Sequence, residues 1–205
     1  MTKKTLLLIP FLFILGCSSK NQVSNLTALS WHNKIYKDIQ NNNLDQADED
    51  FLSLEAEHPT SMYIKTDLIN LFLAHQKIEE YDLSLFYLNE YEKRYATTEE
   101  IPWIEYQKIK LKFLKYQNAY TNQEMLLNIK NECSMYLNKF PYSNYAPEVR
   151  TILVKTDLTN RYLDDKISKL YKKLDKEKAA ELYKTKIPKN SKPPVIPWYK
   201  KIFYW

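Results

Sequence analysis

The chain has 205 residues, a formal net charge of +5 and one glycine, Gly16. Loops that cradle phosphates and the turns of dinucleotide-binding folds need glycine, because the backbone must approach the phosphates closely. The sequence after Gly16 therefore excludes both kinds of site. A chain that avoids glycine but is rich in Leu, Lys, Glu and Tyr favours helices.

The first residues have the order of a secretory signal. Lys3 and Lys4 precede an apolar run over residues 6–15, and Gly16-Cys17 follows at once. A basic start, a short apolar segment and small residues at a cleavage site are typical of such signals. The run is too short for a membrane span, which needs ~20 helical residues.

The sequence Ile14-Leu15-Gly16-Cys17 resembles the lipobox of bacterial lipoproteins. In those proteins the chain is cut before the cysteine, which then carries three acyl chains. One chain anchors a protein only marginally, whereas three hold it permanently. We expect a removed signal peptide over residues 1–16, lipidation at Cys17 and a linker over residues 17–23. Ser18 lacks the aspartate that retains such proteins in the inner membrane, so the resemblance implies the periplasmic face of the outer membrane.

Apolar residues then recur every three or four positions, and period-two alternation is almost absent. This spacing predicts eight helices, at residues 24–40, 44–57, 61–77, 81–95, 102–117, 123–139, 145–173 and 176–186. Short connections between helices of this length predict antiparallel pairs.

The pairs show a repeat. Tetratricopeptide units place a small residue, a large one four positions later and then a proline, as Ala47, Phe51 and Pro59 do. Weaker copies are predicted at Ser84, Leu88 and Ala96, at Ile129, Cys133 and Pro141, and at Ala179 and Tyr183. The predicted fold is all-α, a tetratricopeptide-type solenoid of about four stacked helix pairs over residues 24–186. A proline-rich, aromatic and basic tail follows over residues 187–205.

Nothing in the sequence favours an enzyme. The histidines, at positions 32, 58 and 75, lie on separate predicted elements without metal-ligand spacing. Acidic runs, which are usually solvated helix faces, lie at residues 48–50, 79–80 and 99–100. Cys133 lies on an apolar stripe, which predicts a buried, inert thiol. We therefore expect no catalytic residue, metal or cofactor, and a lipid-anchored cell-wall hydrolase is a weak alternative.

Three features together carry a family resemblance. The pattern P-x-S-x-Y occurs at residues 59–63 and again at 141–145, and a Tyr-rich, basic stretch over residues 170–180 ends in an Ala-Ala pair. With the lipobox, these resemble the BamD family, the tetratricopeptide lipoproteins of the outer-membrane β-barrel assembly machine. Three positions depart from the family. The fifth repeat is missing or replaced by the proline-rich tail, Leu174-Asp175 replaces the usual Arg-Gly, and Tyr183 stands where an arginine is common.

The resemblance implies a non-enzymatic scaffold. Its N-terminal repeats would offer a concave groove to unfolded barrel precursors, and its C-terminal repeats would dock on the POTRA domains of the barrel-forming insertase. Candidate groove residues are Trp31, Tyr36, Tyr63, Tyr81, Tyr95 and Trp103. Each ring could equally fill a gap between helices. The alternative function is a tetratricopeptide pilotin for a secretin, or an adaptor for a cell-wall enzyme.

Charge is divided along the chain. Residues 17–165 carry 16 Lys and Arg against 22 Asp and Glu, whereas residues 166–205 carry 12 against 3. A basic C-terminal segment favours an acidic protein surface or anionic lipid as partner. The predicted partner-facing lysines are Lys172, Lys173, Lys176 and Lys178. The alternative is a solvated helix face. A lipid anchor outside the cytoplasm argues against nucleic acid.

The tail joins an extended proline-rich stretch to eight residues with five aromatics. Its candidate contact residues are Trp198, Tyr199, Phe203 and Trp205. The favoured prediction is that the tail caps the last repeat. It could instead reach the insertase or a companion subunit, or lie at the membrane interface, where aromatics and lysines are both stable. A fourth possibility is that its aromatic end occupies the chain's own precursor groove.

Overall fold

The computed structural model describes residues 25–117 and 123–186, and every regular element in these two ranges is an α-helix. The eight helices are α1 (Ala28–Gln40), α2 (Leu44–Glu57), α3 (Tyr63–Lys77), α4 (Tyr81–Tyr95), α5 (Ile101–Gln117), α6 (Gln123–Lys139), α7 (Ala146–Lys173) and α8 (Glu177–Thr185). The prediction of an all-α chain is confirmed, and the order of the eight helices is as predicted.

The largest boundary differences are at helix N-termini, where side-chain hydroxyls accept hydrogen bonds from backbone N–H groups. The α1 helix begins at Ala28 rather than residue 24, because the Thr27 hydroxyl accepts a hydrogen bond from the backbone N–H of Ser30 (3.2 Å). A side-chain acceptor at this position satisfies one of the free N–H groups of the first turn. The α3 helix begins at Tyr63 rather than residue 61 for a related reason, since the Ser61 hydroxyl accepts from the Tyr63 N–H (3.2 Å).

Three turns that lead from an odd-numbered helix to the next even-numbered one share a geometry. Asn42, Glu79 and Asp175 have φ of 57°, 67° and 57°. At each turn the residue that follows the left-handed one donates its backbone N–H to the carbonyl oxygen five positions earlier, as Lys176 does to Tyr171 (3.0 Å). This is the Schellman arrangement, which normally takes glycine at the left-handed position. Asp175 thus occupies the position where the family resemblance leads one to expect glycine.

The two P-x-S-x-Y motifs also form equivalent turns, which lead from α2 to α3 and from α6 to α7. Ser61 and Ser143 each donate a backbone N–H three residues back and accept, through the hydroxyl, from the N–H of the motif tyrosine. Tyr63 then stacks on His32 of α1 (centroids 4.7 Å apart), and Tyr145 stacks on Tyr106 of α5 (5.2 Å). The motif therefore fixes each odd-numbered helix against the preceding odd-numbered helix.

Consecutive helices pack as antiparallel pairs around two hydrophobic clusters. The first joins side chains of α1 to α5 and the second joins side chains of α5 to α7, so α5 belongs to both. The odd-numbered helices also meet directly, α1 against α3 and α5 against α7. The structure is thus a tetratricopeptide-type solenoid, as predicted.

The small and large repeat positions are buried in three of the four pairs. Ala47 and Phe51, Ser84 and Leu88, and Ile129 and Cys133 are all at most 2% exposed. The fourth copy differs from the prediction by one residue. The buried small residue is Ala180, not Ala179, because its N–H bonds Lys176 O (3.0 Å) as Ser84 N–H bonds Glu80 O (3.0 Å). Tyr183 is accordingly displaced from the large position and stacks on Tyr171 instead (5.7 Å).

Candidate functional site

The first candidate surface is the exposed side of α1 and α3, which we call the odd-helix face. Tyr36 is 50% exposed on α1, and Leu73 is 48% exposed on α3. The shared Schellman turns make these two positions equivalent, since each lies two residues before the carbonyl that accepts the turn's long hydrogen bond, Asp38 O or His75 O. Equivalent positions on adjacent helices form a continuous apolar stripe. Leu73 was not among the predicted groove residues, although the 37-residue spacing of the first two repeats, applied to Tyr36, leads to it.

The other predicted groove residues are more deeply placed. Trp31 is 1% exposed and its indole N–H donates to Glu57 Oε2 (2.8 Å), so this ring fills the core. Trp103 packs edge-on against the buried Phe72, with ring centroids 5.9 Å apart. Tyr63, Tyr81 and Tyr95 are partly buried against the first cluster. Of the six predicted groove residues, only Tyr36 is half exposed.

A buried polar network lies behind this face. His75 of α3 is 1% exposed, and its two ring nitrogens lie 2.6 Å from Glu80 Oε2 and 3.0 Å from Asp48 Oδ1. Tyr87 of α4 donates its hydroxyl to the same Asp48 oxygen (2.6 Å) and stacks on the imidazole. Burial opposes a charge on His75, but hydrogen bonds to the two carboxylates outweigh it and raise the pKa of His75 above 6.5. His75, with a carboxylate at each ring nitrogen, thus ties α3 to Asp48 of α2 and to Glu80 in the turn before α4.

A second polar contact joins α1 to α3. His32 Nδ1 lies 2.7 Å from Oδ1 of Asp67, a residue that is fully buried. Burial raises the pKa of Asp67 to about 6, although the neighbouring His32 opposes this shift. Two of the three histidines therefore bridge helices through carboxylates.

The acidic run at residues 48–50 was predicted to be a solvated helix face, and the structure differs. Asp50 is 2% exposed and accepts a hydrogen bond from Lys34 Nζ of α1 (2.6 Å), and Asp48 belongs to the His75 network. Both carboxylates bridge helices, which a pattern read along α2 alone does not reveal.

The second candidate surface is formed by α7 and α8 and is strongly basic. The four lysines predicted to face a partner, Lys172, Lys173, Lys176 and Lys178, are all exposed, and none forms a salt bridge with another described residue. Lys172 and Lys178 also line a cleft of about 600 Å³ between the two helices. Three leucines near this end are more than half exposed: Leu170, Leu174 and Leu182.

The described residues offer no feature of a metal or membrane-spanning site. No group of His, Cys, Asp or Glu in residues 25–117 and 123–186 has the geometry to hold a metal ion. No helix in the same ranges is long and apolar enough to cross a membrane. Cys133 is fully buried, and burial raises the pKa of its thiol to about 12, so it is inert as predicted. The lipidation residue Cys17 and the tail residues Trp198, Tyr199, Phe203 and Trp205 lie outside the described residues.

Comparison with known proteins identifies the family. Residues 25–182, which span all the described helices but the last turn of α8, match the family YfiO, described as an outer membrane lipoprotein. The chain is also 30% identical to the outer membrane protein assembly factor BamD of Helicobacter pylori, over 98% of this chain and 97% of the relative. Members are non-enzymatic assembly factors. The chain belongs to this family of outer membrane assembly lipoproteins.

Proposed function

We propose that the protein is a scaffold of the outer-membrane β-barrel assembly complex, held at the periplasmic face by an acylated Cys17. The basic surface of α7 and α8 binds the POTRA domains of the barrel-forming insertase. The odd-helix face binds unfolded barrel precursors, whose C-terminal signals are rich in aromatic residues. The name of the Helicobacter pylori relative, an outer membrane protein assembly factor, supports this assignment.

The observation that carries the insertase contact is the unpaired charge of the last helix pair. Elsewhere in the described chain, lysines on helix faces often have carboxylate partners, as Lys112 has Glu132 and Lys130 has Asp157. The four predicted lysines of α7 and α8 have none among the described residues. Exposed unpaired charge of one sign steers association with a surface of the opposite sign. An acidic face on the insertase would supply that surface.

The precursor contact is supported by the apolar stripe of Tyr36 and Leu73. Stacked helix pairs present extended surfaces on which a peptide can lie, with side chains inserted between the helices. A half-exposed tyrosine suits this role, because its ring offers apolar area and its hydroxyl a hydrogen bond at small entropic cost. We therefore place the precursor site at Tyr36 and Leu73 and leave the buried Trp31 out of it.

Two double variants of the full-length protein test the assignment together. Binding is measured to the purified POTRA domains and, separately, to a peptide that ends in a barrel-type aromatic signal. We expect Lys172→Glu with Lys173→Glu to weaken POTRA binding by about tenfold and to leave peptide binding unchanged. Tyr36→Ala with Leu73→Ala should do the reverse, so each variant is the control for the other.

Lys37→Glu with Lys77→Glu is the matched charge control. These two lysines are also exposed and also lie in the last turn of odd-numbered helices. An equal loss of POTRA binding in this control would show a general charge effect and contradict the proposed surface. Unchanged POTRA binding in the Lys172 and Lys173 variant would contradict it as well.

A further inference from the structure

The chain enters the solenoid at a fixed point. The Asn25 N–H donates to Glu57 Oε1 (3.3 Å), and His58 Nε2 donates to the carbonyl oxygen of Leu26 (2.7 Å). Trp31 binds the other oxygen of Glu57 (2.8 Å). Residues 25 and 26 are therefore held against the turn between α2 and α3, at the end of α1 where the helix begins.

This point belongs to one edge of the solenoid. Because the helices run antiparallel, the turns that lead from an even-numbered helix to the next odd-numbered one all lie on the same side as the start of α1. We call this side the entry edge, and it contains the turns at residues 58–62, 96–100 and 140–145. The other turns within the described ranges, at 41–43, 78–80 and 174–176, lie on the opposite edge.

The entry edge exposes apolar and aromatic side chains beside cations. Met62 is 80% exposed and Tyr142 is 97% exposed, one in each P-x-S-x-Y turn. In both motifs the serine and the final tyrosine are bound within the fold, so Met62 and Tyr142 occupy the positions left to point outward. These two exposed side chains do not contribute to the packing of the turns.

Two cations lie next to aromatic rings at the same edge. The Arg94 guanidinium lies 5.6 Å from the centroid of Tyr95 at the end of α4, but it is also ion-paired with Glu55 and Glu90, so it contributes little free charge to this edge. The Lys139 ammonium lies 4.9 Å from the centroid of Phe140 at the end of α6. Aromatic rings with adjacent cations are enriched where proteins meet lipid headgroups, since the ring lies at the headgroup level and the cation meets phosphate.

We propose that the entry edge lies on the lipid headgroups of the membrane to which the protein is anchored. The inference rests on the proposed acylation of Cys17. Only seven residues separate Cys17 from Asn25, and the eight Cα–Cα steps between these two residues reach at most ~28 Å when fully extended. A 15-residue helix such as α3 is itself ~22 Å long, so the opposite edge could approach the bilayer only with the linker stretched along a whole helix.

Site-specific labels on the acylated full-length protein test this orientation. Met62→Cys and Tyr142→Cys place a fluorophore at the entry edge. Leu83→Cys and Leu127→Cys are the matched controls, because these side chains are 41% and 45% exposed near the N-termini of α4 and α6, toward the opposite edge. The buried Cys133, with its raised thiol pKa, stays unlabelled.

The labelled proteins are bound to vesicles of phosphatidylethanolamine and phosphatidylglycerol that contain a lipid with a nitroxide headgroup. We expect quenching at positions 62 and 142 to be at least about twofold stronger than at 83 and 127. Equal quenching at all four positions, or stronger quenching at the controls, would overturn the orientation. Mass spectrometry of the same samples separates the two proposals, because a protein without acyl chains on Cys17 overturns the anchor itself.

Discussion

The first two helix pairs, α1 to α4, and the last pair, α7 and α8, share the Schellman geometry of their internal turns but differ in how much each helix buries. In the first half, buried polar side chains cross between helices, as His75 joins α2 to α4 and His32 joins α1 to α3. In the second half, the buried Asp164 of α7 likewise accepts a hydrogen bond from Gln123 of α6 (3.0 Å), but α8 contributes only Ala180 to the buried residues described, and leucines on α7 and α8 stay exposed.

This difference shows that the two halves use their side chains in different ways. A buried hydrogen-bonded network fixes one arrangement of helices, because any unpaired member is costly. A final pair with few buried residues instead leaves apolar and basic side chains free to contact another protein. The contrast is consistent with an N-terminal half that holds the odd-helix face in one arrangement and with a C-terminal end whose side chains contact a partner.

The largest effect is expected from the N-terminal core. Phe72 is fully buried, packs edge-on against Trp103, and its carbonyl accepts the Ser84 hydroxyl (2.8 Å). Phe72→Ala should lower the free energy of unfolding by about 3–5 kcal/mol, through lost burial and the cavity left behind. Leu182→Ala, at a side chain that is 61% exposed, should change it by less than about 0.5 kcal/mol. Urea denaturation of both variants measures the contrast, and similar losses would contradict it.

The His75 network should make stability depend on pH. The pKa of His75 is raised above 6.5 in the folded state, so its contribution is complete below that value and is lost as the pH rises through the folded pKa. His75→Ala should lower the free energy of unfolding by about 2 kcal/mol at pH 6 and by less at pH 9. Denaturation midpoints across this range measure the effect.

Tyr87→Phe is the matched control for this network. It removes the hydroxyl hydrogen bond to Asp48, but burial and Asp48 raise the pKa of Tyr87, so the phenol stays neutral throughout. The loss of unfolding free energy caused by Tyr87→Phe should therefore change little between pH 6 and pH 9. A His75→Ala variant with an equally flat pH profile would show that the imidazole is uncharged in the fold.

The smallest effect compares the two P-x-S-x-Y turns directly. Ser61 and Ser143 make the same backbone hydrogen bonds, but the Ser143 hydroxyl also bonds the Tyr136 hydroxyl (2.6 Å), which in turn donates to Pro102 O (3.0 Å). Ser143→Ala should lower the free energy of unfolding by about 2 kcal/mol, and Ser61→Ala should lower it by about 1 kcal/mol. Thermal unfolding of the pair tests the difference, and a larger loss at Ser61 would run against it.

The sequence by itself determined the helical class, the number of helices and most of their limits. The periodicity and the breaks near Pro59, Pro102 and Pro141 depend only on residues that are close in sequence. The helices that they predict therefore do not depend on how the chain packs. The burial of Cys133 was also predictable, because it lies on an apolar stripe with Ile129. The P-x-S-x-Y motif was visible as well, although only the structure shows that its serine hydroxyl accepts from the N–H of the motif tyrosine and that this tyrosine stacks on the preceding odd-numbered helix.

Tertiary structure alone decided which polar and aromatic side chains are inside. Trp31 and Tyr36 lie five residues apart on α1, yet one is buried and the other half exposed, because α2 and α3 cover only one side of that helix. Asp50 and Asp67 are buried because cationic or imidazole partners come from α1, far away in sequence. The register of the last pair, with Ala180 in the small position, was fixed by a turn in which a non-glycine residue takes a left-handed conformation. Such outcomes depend on which helices become neighbours, and a one-dimensional pattern does not contain that information.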